Sequence, residues 1–348
     1  MSRVLERYGS RVMSTQSTFE LSGQSLPDVS VILPILNEEP YLRDAVLSIL
    51  SQDYQGNFEV VLAVGPSKDR TQEIADQLHR EDSRVIVVAN PSGRTAAGLN
   101  VALNSSSGTV IVRVDGHAQI PNNYISIAVE LLRKTGAVNV GGMMAAEGVT
   151  TFEKSVAGAM RSPLGVGASR FHTGGEAGEV DTVYLGVFQK NALLAIGGFD
   201  ERFTRAQDWE LNFRLRANGG KIIFDPRLQV RYRPRPTLVA LAKQYFEYGR
   251  WRRAVSRRHK KTINYRYLAP PVALSGFLAS LVLGLLLHPI FFLPALIYLL
   301  FTALSSIAIA RSISQYIYLL AVIPVMHFSW GAGFITSPRN LIPPDSRQ

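Results

Sequence analysis

From Tyr267 to Ala310 the chain carries no Asp, Glu, Lys or Arg, and after Arg311 a second uncharged run extends from Ser312 to Pro338. At the helical rise the first run reaches about 66 Å, two crossings of a hydrocarbon layer about 30 Å thick. The second run is long enough for one more. Three transmembrane helices are therefore expected over residues 267–338, with a buried soluble bundle as the alternative. The stretch "HPIFFLP" (His288–Pro294) supplies the break between the first two, because its prolines favour a turn over continued helix.

The net charge of +10 would by itself suggest a nucleic-acid partner. Its location argues otherwise. Between Arg231 and Arg266 twelve Lys or Arg stand against the single acid Glu247, a balance of +11, so the rest of the chain sums to −1. Basic residues that directly precede an uncharged run belong on the cytoplasmic side of a membrane. The expectation is a multi-pass protein of the cell (inner) membrane with its soluble part cytoplasmic and no nucleic-acid partner. The turn near His288 and the carboxyl end would then lie outside. Within residues 236–266, Leu238, Leu241, Tyr245 and Tyr248 recur at helical spacing among Lys243, Arg250 and Arg252. That pattern suits a basic amphipathic helix at the interface, near lipid phosphates; a solvated basic helix is the alternative. Residues 1–28 are polar, mixed in charge and without an apolar segment, so they read as a lead-in instead of a secretory signal. Residues 339–348 form a tail. The absence of cysteine excludes disulfides and thiolate metal sites.

Residues 29–235 alternate apolar strands with amphipathic helices: "VSVILP", "FEVVLAV", "RVIVVAN" and "TVIVRVD" are separated by helix-like segments. Such alternation implies an α/β domain with a mainly parallel sheet covered on both faces. Ligands of such sheets bind beyond the carboxyl ends of the strands. Asp115 and His117 fall at one such end, although an aspartate there also commonly starts a turn. A second polar cluster, Asp208, Glu210 and Arg214, lies in "QDWELNFRL", where Asp208 sits near a helix start. A carboxylate there suits a general base for a sugar hydroxyl. It equally suits a capping acid followed by a Glu210–Arg214 pair at i,i+4. No G-x-G-x-x-G follows the first strand, and no G-x-x-x-x-G-K-[ST] occurs anywhere, so dinucleotide binding and a P-loop are unsupported.

Taken in order, "VILPILNEE", "SKDRT", "NPSGRTAAGLN", "VRVDGHA" and "GGFDE…QDWELNFRL" resemble glycosyltransferase family 2 over residues 29–235. Within it, "VRVDGHA" and the apolar C-terminal runs are similar to membrane-bound exopolysaccharide glucosyltransferases of the succinoglycan type. The resemblance implies a GT-A-like, Rossmann-type nucleotide-sugar domain, followed by the interfacial helix and three C-terminal transmembrane helices. It implies an inverting hexosyltransferase that uses a nucleotide-sugar donor, first of all a UDP-sugar, and a polyprenyl-diphosphate-linked glycan as acceptor. By the same resemblance Pro34, Asn37 and Glu38 flank the nucleotide, with Asp69 and Arg94 on the donor side. Asp115 and His117 match the D-x-D motif for a divalent metal, Mn²⁺ or Mg²⁺, with Asp115 also facing the donor. Asp208 matches the catalytic base. The chain departs from the pattern in three places: Val64 and Gly65 stand where an acid usually contacts the nucleobase, His117 replaces a second aspartate, and Gln207 replaces a glutamate. A nitrogen donor at His117 favours Mn²⁺ over Mg²⁺. Two relatives within the family remain open, a polyprenyl-phosphate sugar synthase and a processive polysaccharide synthase. For the latter, "QYFEYGRW" departs from the usual Q-x-x-R-W spacing. From another class, a non-catalytic membrane scaffold stays open as well.

Overall fold

The computed structural model describes residues 25–344 apart from Lys261 and Asn264. The lead-in expected over residues 1–28 thus lies almost entirely outside the described residues, as does the end of the 339–348 tail.

Among the described residues, eight strands form one sheet: β1 (Val29–Ile35), β2 (Phe58–Val64), β3 (Val85–Ala89), β4 (Val110–Arg113), β5 (Asn139–Ala146), β6 (Gly178–Glu179), β7 (Tyr184–Gln189) and β8 (Ile222–Tyr232). Their order is β3-β2-β1-β4-β7-β5-β8-β6. β3, β2, β1 and β4 run parallel. β7 enters antiparallel between β4 and β5, β5 pairs with β8 in parallel, and β6 closes the far edge antiparallel. The mainly parallel sheet expected from the alternation is present.

The helices are α1 (Leu42–Leu50), α2 (Thr71–Glu81), α3 (Thr95–Ser105), α4 (Tyr124–Thr135), α5 (Thr151–Met160), α6 (Pro163–Val166), α7 (Arg170–Thr173), α8 (Lys190–Ala195), α9 (Gln207–Ala217), α10 (Leu238–Arg258), α11 (Ala269–Leu286), α12 (Leu293–Ile309) and α13 (Ile313–Thr336). Strands buried on both faces need near-continuous apolar sequence, and β1 supplies it. Its Val31 and Leu33 pack with α1, α2 and α4, while Ile32 packs with α3 and α9 on the other face. Because β2, β1 and β4 are neighbours, the turns leaving their carboxyl ends emerge side by side. That edge is where the site forms.

A third cluster joins the α/β domain to the C-terminal helices. Leu319, Val322, Ile323 and Met326 of α13 are buried with Met144 and Ala146 of β5, Val156 and Met160 of α5, and Leu241 and Tyr245 of α10. α10 and α13 touch through glycines: a Cβ on Gly249 or on Gly333 would stand 2.0 Å from the carbonyl oxygen of Trp330 or Phe246. α11 and α12 fold back on one another, with Phe277 against Tyr298 and the Ser280 hydroxyl donating to the Phe291 carbonyl. Among the described residues three helices are long and apolar enough to cross a membrane: Ala269–Leu286, Pro289–Ile309 and Ile313–Thr336.

The glycine contact generates a prediction. Gly333→Ala should force α10 and α13 apart at about 1–3 kcal/mol, the usual range for overpacking, and lower Tm in detergent. Gly276→Ala, in α11 with nothing within 4 Å of the added carbon, should leave Tm unchanged or raise it slightly. Equal Tm values for the two variants would contradict the packing.

Candidate active site

β4 alternates its faces, so Ile111, Arg113 and the following Asp115 share a side. Ile111 packs there with Leu211 and Leu215 of α9. The same parity aims Arg113 at the start of that helix. Its side chain is only 6% exposed. An Nη1 hydrogen is donated to Oδ1 of Asp208, and Nη2 donates to Oδ1 of Asp115 at 3.1 Å. The two carboxylates named from the sequence, 93 positions apart in the chain, are thus held by one guanidinium. Both remain partly open, with side-chain exposures of 23% and 30%.

His117 lies two residues beyond Asp115 and meets the turn after β1, its Nδ1 standing 2.9 Å from Oε1 of Glu38. The hydrogen bond to Glu38 raises the imidazole above its usual range; the Glu38 and Asp115 charges add to it, while burial and Arg235 oppose it. Gly116 is small for a steric reason. A Cβ there would come within 2.9 Å of Glu38 Cγ and Ile35 Cγ2.

The turns after β1 and β2 are stitched together. Asn37 adopts a left-handed conformation with φ 56°, which asparagine tolerates better than most residues. Its N–H donates to Ser67 Oγ at 3.0 Å, and its Oδ1 accepts from the Lys68 N–H at 2.8 Å. The Glu38 N–H donates to Thr71 Oγ1 at 2.7 Å. Asp69 uses both oxygens inside the chain: Oδ2 accepts from the Glu39 N–H at 3.2 Å, and Oδ1 accepts from the Thr71 N–H and hydroxyl at 3.1 and 2.6 Å. The Thr71 hydroxyl is the main reason its carboxyl titrates below the usual range. Pro34 lies in β1 opposite Ala63. Arg94 is exposed at the start of α3 and has no carboxylate partner among the described residues.

Asp208 is the second residue of α9, entered through Ala206 in a left-handed conformation with φ 59°. Non-glycine residues pay roughly 1–3 kcal/mol for such a conformation, and it persists only where the surroundings impose it. Those surroundings are visible. Glu210, 2% exposed, accepts from Arg214 Nε at 2.8 Å and Nη2 at 2.7 Å, and faces Nε2 of His259 at 3.1 Å. Burial alone would raise its carboxyl, but the hydrogen bonds from His259 and Arg214 outweigh it and hold it below its ordinary value. The Arg252 guanidinium lies 4.2 Å from the Trp209 ring and 4.3 Å from that of Tyr267. The helix that carries Asp208 is therefore mounted on the basic helix α10.

The expected i,i+4 pair between Glu210 and Arg214 is present, and the structure adds His259 to it. Sequence reasoning missed Arg113, although the signal was there: an arginine inside a β-branched strand buried on both faces needs an acid. It also missed Tyr184. Burial drives that phenol well above its usual range, and the Asp115 charge adds to it.

No group of three or more His, Asp or Glu among the described residues forms a ready-made metal cage. Asp115 and His117 nonetheless fit a divalent ion as a partial donor set. Arg113 engages only Oδ1 of Asp115 and Glu38 engages only Nδ1 of His117, which leaves Asp115 Oδ2 and His117 Nε2 as an oxygen and a nitrogen donor. A carboxylate holding the far nitrogen of a histidine is the usual support for such a ligand.

The Glu210 cluster carries a pH signature. A depressed carboxyl contributes stability that is present above its unfolded value, near 4.5, and lost as pH falls through the folded one. Glu210→Gln should therefore lower Tm at pH 7 and flatten its fall below about pH 5. An acid limb identical to that of the parent protein would contradict the assignment.

The model of the family described as Glycosyl transferase family 2 matches residues 30–194. The succinoglycan biosynthesis protein ExoA of Rhizobium meliloti (strain 1021) is 33% identical over 255 residues, covering 72% of this chain and 77% of that one. A Methanococcus voltae enzyme named as a dolichyl N-acetyl-alpha-D-glucosaminyl phosphate 3-beta-D-2,3-diacetamido-2,3-dideoxy-beta-D-glucuronosyltransferase is 23% identical over 272 residues, 74% of this chain and 83% of that one. Among solved structures, the mannosyltransferase PcManGT from Pyrobaculum calidifontis, in complex with GDP-Man and Mn²⁺, superposes with a TM-score of 0.56 at 18% identity, covering 90% of this chain and 88% of that one. That likeness makes the fold GT-A-like. The chain belongs to glycosyl transferase family 2 and is a glycosyltransferase.

Proposed function

We propose that this enzyme moves a sugar, with inversion, from a nucleotide-sugar donor to a polyprenyl-diphosphate-linked glycan at the cytoplasmic face of the cell membrane. One observation carries the reading: Arg113 gathers Asp115 and Asp208 onto one guanidinium at the carboxyl edge of the sheet. The relatives support the classes of substrate. The Pyrobaculum protein was solved with a nucleotide sugar and Mn²⁺, the Rhizobium protein is named for succinoglycan biosynthesis, and the Methanococcus enzyme is named for a dolichyl-linked sugar.

In this reading Pro34, Asn37, Glu38 and Arg94 border the nucleotide side of the cleft. Asp69 acts on it by locking the two turns together. Asp208, steered by Arg113, takes the proton of the acceptor hydroxyl. The freed oxygen attacks the anomeric carbon from the face opposite the diphosphate. The new C–O bond forms as the old one breaks, and the diphosphate leaves with the electron pair. When bound by Asp115 and His117, a divalent cation, Mn²⁺ before Mg²⁺, neutralises charge on that leaving group.

For the acceptor, the junction after β8 matters. Arg231 stands 3.8 Å from Glu147 and Arg233 2.9 Å from Glu153, so both are already paired. Arg235 has no carboxylate partner among the described residues, and its charge acts on both His117 and Tyr248. It is the arginine best placed to meet an acceptor phosphate.

Asp208→Asn should cut turnover by about 10²–10⁴-fold with donor affinity retained. Asp115→Ala should abolish the Mn²⁺ dependence of donor binding in a titration against a panel of nucleotide sugars. Near-normal turnover in the first variant, or unchanged metal-dependent binding in the second, would refute the corresponding role.

A further inference from the structure

We infer that α13 lies in the membrane surface beside α10 and does not cross the bilayer. The α11–α12 hairpin is then the one crossing, and the carboxyl end of the chain returns to the catalytic side. This departs from the three crossings that hydropathy suggests, and it stands independently of the donor and acceptor assignments.

The argument begins with what α13 touches along its length. Near its start, the Tyr318 ring meets Phe152 of α5 edge-on. In its middle, Leu319, Val322, Ile323 and Met326 have no exposed surface and pack against β5, α5 and α10. His327 Nε2 stands 3.2 Å from the Gly165 carbonyl of α6. At its end, Ser337 Oγ donates to the Arg250 carbonyl at 2.9 Å, and Arg257 Nη1 donates to the Ser337 and Pro338 carbonyls at 2.9 Å each. Both ends of the helix therefore rest on the catalytic module or on α10. A spanning helix would carry one of its ends to the opposite face.

The pairing with α10 makes the same point through charge. Contacts advance in step, from Leu241 and Tyr245 against Leu319–Met326, through Gly249 and Phe246 against Trp330 and Gly333, to Arg250 and Arg257 against Ser337. The two helices thus run side by side in the same direction. Were α13 to cross, α10 would be drawn in with it, taking Lys243, Arg250, Arg252, Arg253, Arg257 and Arg258 into hydrocarbon. Six cations there with the single acid Glu247 are untenable.

The hairpin behaves differently. α11 and α12 pack on each other and on α13, but at their joint Leu285, Leu286 and Leu287 are 77%, 75% and 68% exposed. Their contacts with the rest of the chain run from the start of α11, where Pro270 meets Gly331, through Phe277 and Tyr298 against Phe328, to the end of α12, where Ile309 meets Gly158, and stop short of the joint.

The surface this creates fits one partner. Ile313, Ile317 and Leu320 are exposed at i, i+4 and i+7, a stripe on a different face from the buried set. Lys243, Arg257 and Arg258 are exposed on α10 alongside. An apolar stripe flanked by cations suits the headgroup–acyl boundary of an anionic leaflet.

Because the chain has no cysteine, single-cysteine labelling reads the topology directly. Gln77→Cys marks the catalytic module on α2, His288→Cys the hairpin tip, and Pro344→Cys the carboxyl end. Full-length variants in sealed right-side-out and inverted vesicles are treated with a membrane-impermeant maleimide. The expected result is labelling of Gln77→Cys and Pro344→Cys from one face and His288→Cys from the other. Pro344→Cys reacting from the same face as His288→Cys would restore three crossings and overturn the inference, as would all three reacting from one face. A C-terminal alkaline phosphatase fusion, which is active only outside the cytoplasm, gives a second readout. It is expected to be inactive beside an active fusion at His288, and activity at the carboxyl end would also overturn the inference.

Discussion

The guanidinium of Arg113 joins the exit of β4 to the start of α9 by pairing with an acid from each. It sits at the end of a strand with its side chain only 6% exposed, so it requires acids. The fold supplies one from the same strand exit and one from the start of α9. Two carboxylates brought this close would repel each other without the cation between them, and a buried arginine with neither would be costlier still. The arrangement works only as a set, which is why the residue between the carboxylates matters as much as they do.

From Arg113 the support runs outward to the membrane. α9 begins in a strained left-handed residue, and its buried Glu210 is pinned by Arg214 and by His259 at the end of α10. Trp209, next to the proposed base, rests on Arg252, which also faces Tyr267 ahead of α11. The position of Asp208 thus depends on where the basic helix sits. A lipid-borne acceptor reaching α10 would meet the same element that fixes Asp208.

Much of this was legible in the sequence. The alternating β-branched runs gave the parallel half of the sheet, and "VRVDGHA" and "QDWELNFRL" named two carboxylates that prove to share a partner. The uncharged runs marked three apolar helices. What stayed hidden was tertiary. Both oxygens of Asp69 are engaged by Glu39 and Thr71, a pairing across two loops that spacing alone does not display. His259 looked like one more member of a basic flank, whereas its ring closes on Glu210. α13 is long and apolar enough to span a membrane, as its hydropathy led one to expect. What its hydropathy did not display is that Leu319, Val322, Ile323 and Met326 are covered by β5, α5 and α10.

The account rests on Arg113 and the two carboxylates forming one coupled unit, and a double-mutant cycle measures that coupling directly. Unfolding free energies of Arg113→Met, Asp208→Asn and the double variant should be non-additive by about 1–3 kcal/mol, with the second substitution costing much less once the first is made. Additivity within about 0.5 kcal/mol would mean that Arg113 and Asp208 act independently, and the shared cleft would have to be abandoned.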